Sequence, residues 1–412
     1  MRLMQMENII ALDIGSSKIT VAVGEVHEDS IALIGYGVQP AAGVRKGEII
    51  DFENALISVR GALSAAEEMS QVYFQELYLV VTGMHPQAVV NRGKILVANP
   101  HEGVSIEDME EVAAIARNYP LPPDRQILHS IRQWYYLDGQ DQVAKPEKIE
   151  ARNLSLDMLI LHVNAGKVRN AARLVKQIGC MEICGRAFSG LCSALAVLTP
   201  EQKRTGAVVI DLGAGTTDYF AYSGDVISAA GTFGVGGDHV TNDIAQAFTL
   251  PTAQAERLKK NHGSALPTIG SDRELVTLAP EDGFAGMRIR RDALNLVIHA
   301  RVEETLKLVR ESLLRDRAYP QPQARIFLTG GGASMQGICE LGQQIFGRPC
   351  SVGQAVEFKG ASSFLEAPEH AAVLGMLRYA MEHPATHDSG TTWPDRIHRE
   401  VRRLLKNLGV PT

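Results

Sequence analysis

Aromatic residues make up only 6% of this 412-residue chain, with two tryptophans, and no apolar run approaches the roughly 18 residues of a membrane span. Basic residues are not in excess either. Lys plus Arg number 41 against 47 Asp plus Glu, for a net charge of −6, so the basic footprint of a nucleic-acid binder is missing and no nucleic-acid partner is expected. Cysteine is scarce: Cys180, Cys184, Cys192, Cys339 and Cys350 are an odd set without a CxxC pair, which excludes a disulfide framework and a zinc finger. Residues 1–15 place Glu7 and Asp13 around a short apolar stretch and lack a small-residue cleavage site, so they do not read as a signal peptide. A reducing cytoplasm is the expected setting. What the chain does have is 45% hydrophobic and 21% charged residues, the balance of a folded globular protein, and length for two to three domains.

Short β-rich runs alternate with helical patterns, which points to an α/β architecture. Strands are expected at 9–12, 18–23, 31–38 and 77–82, with a helix over 52–69. From 84 to 164 the texture changes to two long strand patterns, 126–137 and 154–163, after a helix over 106–118 with Ser105 at its N-cap. This block reads as an inserted α+β module. Helices are expected again at 168–178 and 188–198, then strands at 207–212 and 218–222, a helix at 301–314, a strand at 326–329 and a helix at 335–346. The second half thus repeats the first in outline.

Two turns carry the chemistry. Asp13-Ile14-Gly15-Ser16-Ser17-Lys18 and Asp211-Leu212-Gly213-Ala214-Gly215-Thr216-Thr217-Asp218 each lie between strands and begin 198 residues apart, a single duplication at domain scale. Such a turn aligns successive backbone N–H groups into an anion nest, and its hydroxyls and Lys18 add donors for phosphate. Asp13 and Asp211, at strand ends, are placed to hold Mg²⁺ through water. A third element, Gly330, Gly331 and Gly332 between a strand and a helix, lets a flat adenine or an α-phosphate approach the backbone. No P-loop pattern occurs, and Gly234-Val235-Gly236-Gly237 is not a dinucleotide fingerprint.

Duplicated Asp-Gly hairpins plus a strand–GGG–helix element resemble the superfamily of actin, sugar kinases and heat-shock chaperones, whose halves close over ATP. The runs VRKGEIID (44–51), VTG, GTTD, VTNDIAQAF, AERLKKNHG and LTGGGASMQG, with the module at 84–164, narrow the resemblance to the FtsA family of bacterial cell-division proteins, over residues 8–380. The resemblance implies an actin-like duplicated α/β fold with an ATP cleft, an inserted α+β module in the first half and a C-terminal amphipathic helix. It divides the chain into 1–83 and 165–200 (first half), 84–164 (module), 201–240 and 301–382 (second half), 241–300 (its smaller subdomain), a linker at 383–392 and a membrane-targeting helix at 393–412. Asp13, Gly15, Ser16, Ser17 and Lys18 would form the first phosphate element, and Asp211, Gly213, Gly215, Thr216, Thr217 and Asp218 the second. Gly237 would open the following helix, Gly330–Gly332 would line the adenosine pocket, and Glu256 with Lys259, three apart on one helix face, would reach the ribose and adenine. The residues alone also allow a solvated surface pair there. Ala214 stands where the family often has glycine, residues 139–154 are poorer in glycine than the family, and Gly185-Arg186-Ala187, on the expected connecting helix, offers no acid to position a hydrolytic water.

At the far end, Trp393, Ile397, Val401, Leu404, Leu405 and Leu408 fall on one stripe of a 3.6-residue period. Arg396, Arg399, Arg402, Arg403 and Lys406, against Asp395 and Glu400, give this segment a net +3 on an acidic chain. A basic amphipathic helix is expected to lie on an anionic lipid surface, or else to dock on its own domain. Arg288, Arg290, Arg291 and Arg301 cluster in the smaller subdomain. The resemblance makes Arg288, Arg290 and Arg301 a face for the acidic C-terminal peptide of FtsZ, and the residues alone make it a solvated helix face. The resemblance further implies filaments of the chain itself, MgATP as cofactor, later division proteins as partners, and a peripheral position on the cytoplasmic face of the inner membrane at the septum. A pilus-assembly scaffold of the PilM type, or a small-molecule kinase of the same superfamily, is the competing expectation.

Overall fold

The computed structural model describes residues 8–27, 30–179, 181–267, 274–280, 284 and 286–384. The linker and tail expected at 383–412 therefore lie, apart from His383 and Pro384, outside the described residues.

Two sheets with the same internal plan organise the chain. The first runs in the order Glu182–Phe188, Glu76–Val81, Asn8–Ile14, Lys18–His27, Ser30–Pro40, Phe358–Gly360; the second runs Cys350–Val352, Arg325–Thr329, Ala207–Leu212, Thr217–Ser223, Val226–Phe233. In each, three consecutive strands form an antiparallel meander, and the meander's first strand also takes a parallel partner that arrives after a helix-containing connection. The central strands are apolar on both faces: Ala11, Leu12, Ile19, Val21, Ala22 and Val23 are fully buried in one sheet, as are Val208, Ile210, Phe220 and Ala221 in the other. Strands buried on both sides read as continuous apolar runs, which is why they were visible in the sequence.

Between the sheets lie two helices. Every residue of Ser189–Val197 is buried. Its partner, Ala371–Glu382, crosses so closely that a Cβ on Gly375 would stand 1.6 Å from the Cys192 carbonyl oxygen. Chain order and sheet membership part company at this point. Residues up to 382 were grouped with the second half, yet Phe358–Gly360 pairs parallel with Ser30–Pro40, and Ala371–Glu382 packs on the first sheet. The reason is burial: the helix is apolar around most of its surface and needs a layer on both sides.

The inserted module is a four-stranded antiparallel sheet, Gln87–Leu96, Asn153–Asn164, Arg125–Leu137, Asp141–Val143, covered by the helix Ile106–Arg117. Ser105 caps that helix with a reciprocal bond to Asp108, as its sequence indicates. The module also touches the second half, where the Gln133 amide donates to the carbonyls of Ile227 (2.8 Å) and Ser228 (3.0 Å). A smaller unit of three helices, Gly237–Phe248, Thr252–His262 and Arg291–Arg315, with the hairpin Leu275–Leu278 and Met287–Arg290, completes the second half. Among the described residues, no helix is long and apolar enough to cross a membrane.

Candidate nucleotide site

The two Asp-Gly turns are built alike. Gly15 donates to the Lys18 carbonyl at 3.1 Å, and a Cβ there would meet that same oxygen at 2.8 Å. Gly213 stands in the same relation to the residue three further on, its Cβ position lying 2.9 Å from the Thr216 carbonyl. Only glycine fits such a turn, so the duplication is one of geometry as well as of sequence. The turns face each other: a Cβ on Gly215 would lie 2.5 Å from Ser16 Oγ. The third element closes the same corner. Gly330, with φ +78°, would press a Cβ to 2.3 Å from Asp211 Oδ1, and Gly332 to 2.7 Å from the Leu212 side chain. Gly331 has nothing within 4 Å of its Cβ position, which leaves an open backbone face for a flat ligand.

Three carboxyls sit at the base of the turns. Asp211 and Asp218 are directly opposite one another across their hairpin. The helix Ser189–Val197 presents two serines four residues apart, and Ser193 Oγ donates to Asp211 at 2.6 Å while Ser189 Oγ donates to Asp218. Asp218 Oδ1 is buried without a partner in bonding geometry. Burial first, and the neighbouring Asp211 charge second, push Asp13 and Asp218 up to about 7; Asp211 is raised by burial against its Ser193 bond. Carboxyls that repel each other while one keeps an unpartnered oxygen suit a cation nearby. Among the described residues, no group of three or more His, Cys, Asp or Glu side chains is clustered as a direct metal-ligand set. The residues present therefore fit a phosphate chain with Mg²⁺.

The remaining expected site residues are placed as follows. Lys18 reaches across to Glu369 (2.5 Å), just beyond the third glycine element. Ser16 Oγ accepts the Gly47 N–H at 2.8 Å, and Ser17 is exposed at the first turn. Thr217 Oγ1 donates to Val235 O at 2.8 Å, tying the second turn to the Gly234–Gly237 loop, and Thr216 is buried beside Gly213. Gly237 opens its helix against the second turn, its N–H donating to Gly213 O at 2.9 Å. Glu256 and Lys259 pair at 2.6 Å, and Lys259 also donates to Gly237 O (3.1 Å) and Thr241 Oγ1 (2.9 Å). This pair is part of the wall of the second turn, not a solvated surface pair. Burial lowers the Lys18 ammonium, and bonds from Lys259 and Thr241 hold the Glu256 carboxyl below its usual range against the effect of its own burial.

One expectation is corrected. Gly185-Arg186-Ala187 lies on the strand Glu182–Phe188, parallel to Glu76–Val81, and not on a connecting helix. The helix begins at Ser189. Seven residues alongside a fully buried strand gain more from the sheet's ladder than from two turns of helix. The connecting helix carries serines, and no carboxylate, toward the site. Sequence reasoning missed Ser189, Ser193, Thr241 and Glu369; two serines at i, i+4 on an apolar helix were the one available signal.

The arginine face is divided. Arg288 and Arg290 are exposed and alternate on one face of Met287–Arg290, with Arg290 paired to Asp292, whereas Arg301 is gripped by Asp243 (2.6 and 3.1 Å) and Glu304 (2.5 Å). Trp393, Ile397, Val401, Leu404, Leu405, Leu408 and the basic residues among them lie outside the described residues.

Two sheets of identical plan, joined by crossing helices and carrying matched phosphate-type turns, define an actin-like fold. Solved structures agree: the PilM–PilN type IV pilus biogenesis complex covers 90% of this chain and 98% of its own at TM-score 0.63 and 17% identity. MreB5 of Spiroplasma citri bound to AMPPNP covers 97% and 98% at TM-score 0.52 and 15% identity. Residues 208–375 match the cell division protein FtsA family and residues 83–162 match the SHS2 domain inserted in FtsA. Cell division protein FtsA of Borreliella burgdorferi is 30% identical over 376 residues, 91% of each chain, and that of Pseudomonas aeruginosa is 29% identical over 375 residues, covering 91% of this chain and 89% of its own. The chain belongs to the FtsA family of cell division proteins.

Proposed function

We propose that this chain is an ATP-binding, actin-like cell-division protein that polymerises on the cytoplasmic face of the inner membrane, anchors FtsZ filaments there and recruits later division proteins. The observation that carries the nucleotide part is the convergence of three glycine elements on three carboxyls, Asp13 and Asp211 half-buried and Asp218 buried with an unpartnered oxygen. Bound MgATP would supply a terminal phosphoanhydride and a charge that holds the two halves together. Gly15–Lys18 and Gly213–Thr217 bind its phosphates, Asp13 and Asp211 hold Mg²⁺ through water, and Asp218 takes part from the hairpin position opposite Asp211. Glu256 and Lys259, beside Gly237, hold the ribose and adenine, and Gly330–Gly332 admit the base. The connecting helix brings hydroxyls and no general base, which favours slow turnover and a role carried by binding.

The membrane part is supported by the apolar stripe and net +3 of residues 393–412. The FtsZ part is supported by family membership and by the exposed Arg288 and Arg290, with Arg301 held in its carboxylate clamp. A pilus scaffold shares the fold but has no need of a lipid-binding tail, and a small-molecule kinase leaves that tail without a role. The test is co-sedimentation of the full chain with anionic liposomes and MgATP, beside a chain ending at Asp388, with electron microscopy of the pellet. Lipid-attached filaments from the full chain alone are expected. Soluble behaviour of both chains would move the assignment to a scaffold without lipid contact.

A further inference from the structure

The place of the run VRKGEIID, residues 44–51, in the fold gives it a role at the site. Val44–Arg45 pairs with Glu48–Ile49, leaving Lys46-Gly47 as a two-residue hairpin tip with φ of +50° and +67°. Two left-handed residues in a two-residue loop favour Asn, Asp or Gly at the first position. Lysine there sits in a conformation that costs a side chain about 1–2 kcal/mol, so the ammonium is held at this tip against local preference.

The hairpin is fixed at both ends. Ile50 and Asp51 both donate to Gly43 O (2.8 and 3.0 Å), and Glu48 pairs with Lys167 (2.5 Å) on the helix Ala165–Gly179. At the tip, Gly47 donates to Ser16 Oγ and is packed so tightly that a Cβ would lie 2.6 Å from Gly83 N. The tip meets the second half at the second turn. A Cβ on Gly215 would stand 2.7 Å from Lys46 Cα, and one on Gly234 would stand 3.6 Å from Lys46 Nζ. The ammonium is half-buried and carries no ion pair among the described residues; its charge is felt at His239, in the first turn of the next helix.

Position along the second turn decides what this ammonium can touch. Gly330 and Gly332 contact Asp211 and Leu212, and the start of the Gly237–Phe248 helix, which Lys259 holds at Gly237 O, contacts Gly213 and Ala214. Those are the elements of the nucleoside end. Lys46 stands at Gly215, the far end, opposite Ser16 of the first turn. A phosphate chain laid along the turn from the glycine pocket brings its last phosphate to this lysine. We propose that Lys46 is the specificity-determining residue through which the first half recognises the terminal phosphate of a nucleoside triphosphate; this rests on the nucleotide reading above.

Calorimetric titration of the full chain with Mg²⁺ and either AMPPNP or ADP tests this, in the unmodified protein, Lys46→Asn and Lys46→Arg. Asparagine tolerates the left-handed tip, so the hairpin is kept while the charge is removed. Lys46→Asn is expected to weaken AMPPNP binding about ten- to hundredfold, the range of a lost charge-assisted bond, and ADP binding less than about twofold. Lys46→Arg is expected to retain the preference for the triphosphate. Equal weakening of both nucleotides in Lys46→Asn, or no change in either, overturns the inference and leaves the nucleotide site standing. If the unmodified chain binds neither nucleotide, the nucleotide reading fails first and this inference with it.

Discussion

His129 shows how one residue links three parts of the molecule. It belongs to the module's strand Arg125–Leu137, its Nε2 accepts the Phe188 N–H of the first sheet at 3.1 Å, and its ring meets Tyr379 edge-on. Burial, helped by the nearby His383 charge, pushes its pKa down to about 3, and His85, half-buried beside Arg125 and Lys167, is pushed down to about 4, chiefly by desolvation. Both rings are neutral in the folded state, while an unfolded histidine takes up a proton below about 6.5. The unfolded chain therefore binds more protons as pH falls, and stability is lost from about pH 6.5 downward, until the folded rings protonate as well. Asp13 and Asp218 act in the opposite direction. Their folded pKa near 7 lies above the unfolded 3.8, so they withdraw stability as pH rises from about 4 to 7. The histidine effect is isolated by His129→Gln, which keeps an acceptor for Phe188. Urea unfolding of both proteins at pH 7.5 and pH 5 should show the variant losing about 2 kcal/mol less between the two. An equal loss would mean that His129 is not neutral in the fold.

At the scale of elements, the contact between Ser189–Val197 and Ala371–Glu382 is the tightest place in the fold. Gly375 leaves no room for a methyl group against the Cys192 carbonyl, so Gly375→Ala must separate two helices that carry both sheets. Overpacking of a rigid interior costs about 1–3 kcal/mol, and a backbone atom cannot move aside as a side chain does. Thermal unfolding is expected to show at least that loss, while Gly331→Ala, with open space around it, stays within about 0.5 kcal/mol. Comparable melting of the two variants would remove the crossing from its structural role. Elements of this kind differ in how well the sequence announces them. The helix Phe52–Ser70, the Ser105 cap of Ile106–Arg117 and the two Asp-Gly hairpins were legible because their signals are local. Gln87–Leu96 and Val226–Phe233 were not, since both lie at sheet edges and polar or small residues, Asn91 to Lys94 in one and Ser228, Gly231 and Thr232 in the other, interrupt their apolar runs. The helix Arg291–Arg315 begins ten residues before its strongest periodicity, because Arg291 is fastened to Glu274 and to His262 O by tertiary bonds.

Over the whole molecule, the candidate site is assembled from pieces the sequence keeps far apart. Each glycine turn could be found alone, but the approach of Lys18 to Glu369 spans 351 positions, and the seating of Lys46 on Gly215 depends on both halves being folded. Charge is distributed on the same scale. The chain carries −6 overall and residues 393–412 carry a net +3, so the rest is more acidic than the total and is itself repelled by an anionic surface. A lipid attachment made by the tail must then depend on lipid charge and on salt. Each basic residue near an anionic leaflet contributes ~1 kcal/mol, so a net +3 contributes ~3 kcal/mol, a factor on the order of 150 in affinity. Raising the salt from 0.1 M to 1 M shortens the screening length from about 10 Å to about 3 Å and removes most of that factor. Apolar contact from Trp393, Ile397, Val401, Leu404, Leu405 and Leu408 is insensitive to salt and should leave a residual affinity. Vesicle binding by the full chain, in neutral and anionic lipid at both salts, is therefore expected to fall about a hundredfold when either the lipid charge or the low salt is removed. Removing the second after the first should change little, because both act on the same Coulomb attraction. Independent, multiplicative losses would show that attachment draws on a second basic surface, with the exposed pair Arg288 and Arg290 as the place to look.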